Sequence, residues 1–331
     1  MKIGKVPVNV LKRSILRELE VNHCKDEVIK GAEVGADNAL LRLKNHEATV
    51  INTQSYEADS ELEARVAVYK AVNNLFSAGA VPVAVTVALT LPVEFQEEQL
   101  KSYMRALAAA ANELQVELAG GDTKTFASVT VPIVTVTALG TVADGEAFKK
   151  VLPGQELVLS KWIGMEGTLL LAHEREEELL KRYPYPMIQA VKDLTQEISV
   201  GKEAKVAVQE NVTAMHDLSE GGILGGLWEF AEYHQVGLKV DLKKIPVMQE
   251  IIEICEYYDL NPYGLRSGGA LLMAVEKGST LVQKLAEQGI YAAVIGRVTE
   301  ENQRIIVNEE EVRYLDRPLP DEIYKVRKEI V

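Results

Sequence analysis

The sequence predicts a mixed α/β chain of two domains, and three observations lead there. At 331 residues the chain exceeds one ordinary hydrophobic core, and length alone favours two domains of about 150 residues each. Segments with apolar residues at three- and four-residue steps alternate with β-branched runs bounded by glycine and proline, so helices and strands follow one another throughout. Asp144-Gly145 through Pro153-Gly154 has turn residues and few apolar ones, which marks a linker. The expected domains are therefore residues 1–145 and 154–331.

The elements follow in order. Leu11 to Glu20 reads as a short amphipathic helix behind a mobile arm that contains Gly4 and Lys5. Gly35 to Leu41 enters a strand, and Thr49 to Thr53 is expected to be its antiparallel neighbour across a hairpin near Lys44 to Glu47. Asp37 sits where a polar turn feeds that strand, and reads as a turn aspartate or as a ligand. From Glu61 to Ala78 a helix buries Leu62, Val66, Tyr69, Val72 and Phe76. Its second line, Ala67, Ala71, Asn74 and Ala78, is narrow, and Asn74 is its one polar group. Gly79 ends it. Pro82 to Leu91 is a strand.

Pro92 and the acidic Glu94 to Glu98 open the next helix, with carboxylates at its positive end and a stripe of Leu100, Met104, Leu107, Ala111 and Leu114. It leads into Ala119-Gly120-Gly121-Asp122-Thr123-Lys124, expected to be a loop between strands. Paired glycines bring backbone N–H groups close to an anion, Asp122 can hold a divalent cation, and Lys124 can neutralise phosphate. That is the composition of a nucleotide site, although the Walker spacing is absent. Val129 to Leu139 is the strand that closes the first domain.

In the second half, Gln155 to Ser160 is a strand, and Glu166 to Glu178 and Met187 to Ile198 are helices parted by Tyr183-Pro184-Tyr185-Pro186. A short strand, Val212 to Met215, precedes His216-Asp217-Leu218-Ser219-Glu220-Gly221-Gly222. Ser219 is the expected N-cap of a helix with the stripe Ile223, Leu227, Phe230 and Ala231. Four glycines in its first two turns cost roughly 1 kcal/mol each against alanine. Either another backbone packs very close, or a ligand's anionic group meets the exposed N–H groups there, and both can hold. His216 beside Asp217 reads as structural, because no nucleophile or second histidine lies at ligand spacing. Met248 to Tyr258 and Thr280 to Gln288 are helices; Ala270 to Val275, Tyr291 to Val298 and Arg304 to Val307 are strands. Ser267-Gly268-Gly269 is a close-approach loop, and the tail from Arg313 is charged.

Composition excludes several classes. The net charge of −13 argues against a nucleic-acid partner, which needs clustered basic residues. Cys24 and Cys255 are too few for a disulfide framework, and no zinc spacing exists. No stretch reaches about 18 uninterrupted apolar residues, and the N-terminus lacks a signal-peptide core, so the expectation is a cytoplasmic protein with no membrane partner.

With these residues in view, the chain resembles the aminoimidazole-ribonucleotide (AIR) synthase superfamily, most closely its hydrogenase-maturation branch, the HypE family. The likeness rests on Gly35 to Ala39, Ser55-Tyr56 leading into Val72-Asn73-Asn74, Ala78 to Pro82, Gly121-Asp122-Thr123-Lys124, Met215 to Gly222, and Gly237 to Pro246. It implies a two-domain PurM-like α/β fold whose N-terminal sheets pair in a homodimer to form a barrel. It also implies ATP and Mg²⁺ as cofactors, bound near that interface. On the resemblance, Asp37, Gln54, Asn74 and Asp122 fall at metal positions and Lys124 at the phosphate-side lysine. Gly4-Lys5 falls on the mobile arm; Gly120, Gly121 and Thr123 join the ATP site, and Asp217, Ser219, Gly221 and Gly222 receive substrate or phosphate. Gln54 and Asn74 depart from the family's acids. The sequence also ends Glu329-Ile330-Val331, where the hydrogenase branch carries a cysteine, so its cyanide-forming chemistry is not carried over. The expected activity is ATP-dependent activation of a carbonyl or amide oxygen on an unnamed small-molecule or protein acceptor; the alternative is a nucleotide-binding dimer without turnover.

Overall fold

The computed structural model describes residues 4–5, 10–20, 25, 28–30, 40–41, 47–143 and 150–327. Asp37 and its neighbours, and the centre of the expected linker, lie outside them. The chain divides into two compact units, Met1–Phe76 with Ala80–Ala147, and Ser77–Gly79 with Phe148–Val331.

The first unit is built on a five-stranded sheet of order β1-β6-β5-β7-β4. Its strands are β1 (Gly4–Lys5), β4 (Glu47–Glu57), β5 (Val81–Pro92), β6 (Glu117–Phe126) and β7 (Ile133–Ala143). A separate two-stranded pair joins β2 (Val28–Lys30) to β3 (Leu40–Leu41). The expected hairpin between the 35–41 strand and β4 is therefore corrected: Leu40–Leu41 pairs with β2, and β4 runs antiparallel to β7 from Glu47↔Ala143 to Glu57↔Ile133. Eleven continuous rungs, most with a β-branched residue on at least one side, outweigh a local turn signal.

Alternation decides which face of this sheet is core. Val87, Leu89 and Leu91 of β5 and Val134, Val136 and Ala138 of β7 are buried, while Thr86, Ala88, Thr90, Thr135 and Thr137 between them are only half-buried. Helix α1 (Arg17–Glu20) follows a six-residue π-helical segment, Leu11–Leu16. Helices α2 (Glu61–Ser77) and α3 (Glu97–Glu113) are cross-linked by the Glu113 carboxylate, which accepts from Arg65 at 2.8 Å and from the Tyr69 hydroxyl. The Asn52 amide of β4 donates to the Ala71 carbonyl of α2 at 2.8 Å, and the Tyr103 hydroxyl of α3 donates to the Ala58 carbonyl at 2.7 Å. Helix α2 thus lies against β4, and α3 reaches the residue that follows it.

The second unit carries a seven-stranded sheet of order β14-β13-β10-β12-β8-β11-β9. These are β8 (Glu156–Ser160), β9 (Ala214–Asp217), β10 (Gly237–Asp241), β11 (Leu271–Val275), β12 (Ala292–Thr299), β13 (Arg304–Asn308) and β14 (Glu311–Tyr314). β11, buried at every residue, lies between β8 and β9. The helices are α4 (Met165–Glu174), α5 (Glu176–Leu179), α6 (Tyr185–Lys192), α7 (Gly201–Gln209), α8 (Gly222–His234), α9 (Gln249–Tyr257), α10 (Gly278–Glu287) and α11 (Ile323–Arg327).

Five elements differ from the expectation here. The expected helix to Ile198 tightens into a 3-10 turn at Asp193–Glu197. Helix α7, β10, β14 and α11 were absent from the expectation. Lys161 fixes the chain after the 3-10 turn: its ammonium donates to the Glu197 and Ser199 carbonyls at 2.7 Å each and pairs with buried Glu203 at 2.7 Å.

Candidate functional site

The Gly120-Gly121 stretch is not a loop. Both glycines lie inside β6, which pairs parallel with β5 from Ala84↔Glu117 to Pro92↔Phe126 and slips register between Val85 and Thr86. A Cβ on Gly121 would lie 1.7 Å from the Val87 carbonyl oxygen, so glycine is what lets the strands meet after the slip. Beyond it Asp122 and Lys124 project from one side of the strand, and their side chains pair at 2.5 Å. The Thr123 N–H donates to the other Asp122 oxygen at 3.0 Å. Both side chains are substantially exposed, at 48% for Asp122 and 39% for Lys124. β1 closes this edge of the sheet, with Gly4 opposite Thr125 and Lys5 opposite Lys124. The structure therefore brings together Gly4, Lys5, Gly120, Gly121, Asp122, Thr123 and Lys124.

It does not bring Gln54 to them. Gln54 pairs with Val136, Val136 with Val87, and Val87 with Gly121, so β7 and β5 stand between Gln54 and Asp122. At roughly 4.8 Å per strand those three ladder steps separate the backbones by about 14 Å. The two side chains also face opposite sides, because Asp122 shares its rung with Ala88, Thr135 and Ser55. Asn74 lies half-buried in the last turn of α2. Among the described residues no group of three or more His, Cys, Asp or Glu is placed to hold a metal. A single Asp122 carboxylate suits an Mg²⁺ ion whose other ligands are phosphate and water. Gln54 adds nothing to that ion within one chain.

At the start of α8 the N-cap is Gly221, in a left-handed conformation at φ 79°, and not Ser219. The Ser219 carbonyl instead accepts from the N–H groups of Gly222 and Ser267. The close-packing explanation for the glycines holds. A Cβ on Gly222 would lie 2.6 Å from the carbonyl oxygens of Tyr263 and Leu265, so another backbone does pack very close. The anion at the exposed N–H is the chain's own: Gly221 N–H donates to Asp321 Oδ2 at 2.7 Å, and Ile323 N–H donates to Oδ1 at 3.0 Å. Buried Arg266 stands 3.6 Å from Asp321, 3.7 Å from buried Glu166 and 3.9 Å from Glu220. Burial pushes the Asp321 carboxyl up, and Arg266 with the two N–H groups opposes that rise. The expected phosphate at Gly221 and Gly222 thus meets a helix start already neutralised, beside an arginine crowded by three carboxylates. Asp217 is buried in β9. Arg266 and Asp321 escaped the sequence reading, since nothing local links a tail aspartate to a glycine a hundred residues earlier. The Ser267-Gly268-Gly269 loop was the one signal near them.

A sheet backed by two helices, followed by an α/β unit that carries a glycine-rich helix start, is the two-domain PurM-like fold. Residues 35–142 match the N-terminal domain model of AIR synthase related proteins, residues 153–308 match the C-terminal domain model, and the chain belongs to this family. It is 28% identical to a putative hydrogenase expression/formation protein of Methanocaldococcus jannaschii, over 98% of this chain and 97% of that one. It is 27% identical to the carbamoyl dehydratase HypE of Azotobacter vinelandii, over 73% of this chain and 71% of that one. Among solved structures, HypE in complex with ATP superposes with a TM-score of 0.78 at 19% identity, covering 96% of each chain.

Proposed function

We propose that this protein is an ATP-dependent enzyme of the HypE-like group, which activates a carbonyl or amide oxygen by phosphoryl transfer so that the oxygen leaves as phosphate. The observation that carries the reading is the Asp122–Lys124 pair, half-exposed beyond the glycine crossing of β6 and bordered by β1. Relatives called carbamoyl dehydratase, and a structural neighbour that holds ATP, support it.

In this reading Asp122 would hold one Mg²⁺, which would supply positive charge against the phosphates. Lys124 leaves Asp122 for the transferred phosphoryl group, where an ammonium stabilises developing negative charge. Gly120 and Gly121 keep side chains away from the phosphates, and the Gly4–Lys5 strand covers the edge. Asp37 is proposed as a second carboxylate. The α8 start takes no phosphate while Asp321 holds the Gly221 N–H.

The half-buried threonine face of the first unit's sheet is proposed to meet a second copy, giving a homodimer with a barrel at its centre. Thr53 with Thr137, and Ser55 with Thr135, form hydroxyl pairs at 3.0 Å on that face, and Ile51 on it is 62% exposed. A role in hydrogenase maturation fits the relatives' names, and we propose that it is cytoplasmic, with a small molecule or a protein as acceptor. Among the described residues no helix is long and apolar enough to cross a membrane.

The test is release of phosphate from ATP by purified protein with Mg²⁺, across carboxamide and carbamoyl acceptors. Release that depends on an acceptor and disappears in Lys124→Ala supports the reading; no release with any acceptor refutes it. The separation of Gln54 from Asp122 favours a second reading, a nucleotide-binding dimer without turnover. ATP binding that survives Asp122→Ala and ignores Mg²⁺ would select it.

A further inference from the structure

Gly225 is the glycine at the start of α8 that no neighbour explains. Gly221 is held in a left-handed conformation, which favours glycine. Gly222 and Gly226 have no room for a side chain, since a Cβ would lie 2.6 Å from the Tyr263 oxygen on the first and 2.3 Å from Leu218 Cδ2 on the second. Gly225 lies inside the helix with no left-handed backbone, and a Cβ there would meet only the Glu220 carbonyl oxygen, at 3.4 Å. Alanine would serve the helix better, so the missing side chain points to a space kept open.

That space is a cavity of about 390 Å³ bordered by Gly221 and Gly225. It falls within the range of small-molecule sites, about 300–1,000 Å³. Leu224, Leu242, Ile306 and Leu315 give it apolar walls. Its border also includes most of the segment from Leu315 to Glu322, and that segment is tied down at both ends. The Leu315 N–H donates to the Arg304 carbonyl at 2.8 Å; at the other end Asp321 holds the Gly221 N–H, and the Asn261 N–H donates to Glu322 Oε2 at 2.9 Å. The cavity belongs to the second unit alone, and no residue of β6 lines it.

Four charged residues line the cavity, and two of them are already occupied. Arg313 stands 3.4 Å from Glu311, and Glu322 holds Lys325 at 2.6 Å besides the Asn261 N–H. Asp316 and Arg317 make no ion pair or hydrogen bond among the described residues, and neither does the Tyr263 hydroxyl, also on the lining. Two arginines against two carboxylates leave the lining with no net charge, which does not suit a polyphosphate. One unpaired cation and one unpaired anion beside apolar walls suit a ligand that carries both charges on an apolar body.

We propose that this cavity binds a small apolar amino acid. The apolar side chain lies against Leu224, Leu242 and Ile306, over the space that Gly225 leaves open. The Arg317 guanidinium takes the carboxylate, for which its planar fork of donors is suited, and Asp316 takes the ammonium.

The experiment is calorimetric titration of the full chain with L-phenylalanine, with 3-phenylpropionate, which lacks the ammonium, and with phenethylamine, which lacks the carboxylate. The variants are Gly225→Met, which fills the cavity, and Arg317→Gln and Asp316→Asn, which remove one exposed charge each. Saturable binding of phenylalanine by the wild type, at least tenfold tighter than either analogue and at least tenfold weaker in all three variants, supports the site. Failure of phenylalanine to bind the wild type, or binding unchanged in Gly225→Met, overturns it. If Gly225→Met does not fold, the two charge variants decide: loss of phenylalanine in both supports the site, and retention in either overturns it. An analogue that binds the wild type as tightly as phenylalanine overturns the ligand class.

Discussion

Lys124 reaches across one residue of β6 to hold the Asp122 carboxylate at 2.5 Å, so the two groups proposed to act on a metal-bound phosphate neutralise each other when no ligand is present. Each must let go of the other to act. An exposed pair of this kind contributes only about 0–1 kcal/mol to stability, so evolution of the pair for folding is a weak explanation.

Lys124→Met should therefore leave the denaturant midpoint almost unchanged while lowering ATP-dependent phosphate release by roughly 10²-fold or more, the usual scale for loss of one charge-stabilising group. Parallel urea curves and phosphate assays check this. Loss of stability together with activity would assign the pair to folding.

Gly121→Ala should separate β6 from β5, because the new Cβ would sit 1.7 Å from the Val87 oxygen. Overpacking typically costs about 1–3 kcal/mol, and a contact with backbone has little means of relaxing. Gly225→Ala is the control: its Cβ would meet the Glu220 oxygen at 3.4 Å, and alanine improves helix propensity by up to about 1 kcal/mol. Chemical denaturation of the two variants should move in opposite directions.

Asp321→Ala should destabilise the second unit by about 1–3 kcal/mol, since it leaves the Gly221 and Ile323 N–H groups without their acceptor. Hydrogen exchange at Gly221 and through residues 321–327 should rise. Unchanged exchange would mean that α8 finds another cap.

His234 makes stability depend on pH. Its ring packs 4.5 Å from Phe230 and 4.9 Å from Tyr233, and burial, aided by His216, lowers it from the ordinary value of 6.5 to about 4. The unfolded chain therefore binds the proton more readily. The stabilisation from the neutral ring is complete above pH 6.5 and is lost as pH falls from there through about 4. His234→Phe should flatten thermal stability across that window, and a wild-type slope retained in the variant would move the effect to another group.

Much of this was legible in the chain. The apolar stripes of α2 and α3 and the β-branched run of β5 are local periodicities, and they fold as read. Partnerships were not. β4 chose β7 over its sequence neighbour because cross-strand packing is decided by residues some eighty positions away. Gly120-Gly121 imitates a loop, yet in a ladder the same missing side chains allow close strands. In the second unit the glycines of α8 announced a close backbone or a ligand's anion, and only the fold could supply the Tyr263 and Leu265 carbonyls and set Asp321 in the anion's place.

The most direct test of the account is calorimetric titration of ATP in the presence of Mg²⁺ into the wild type and Asp122→Asn. The wild type should bind with an affinity that collapses when Mg²⁺ is chelated, and Asp122→Asn, with its fold intact, should bind at least tenfold more weakly and gain little from the metal. Equal, metal-assisted binding by both proteins would remove Asp122 from the nucleotide and contradict the proposed chemistry.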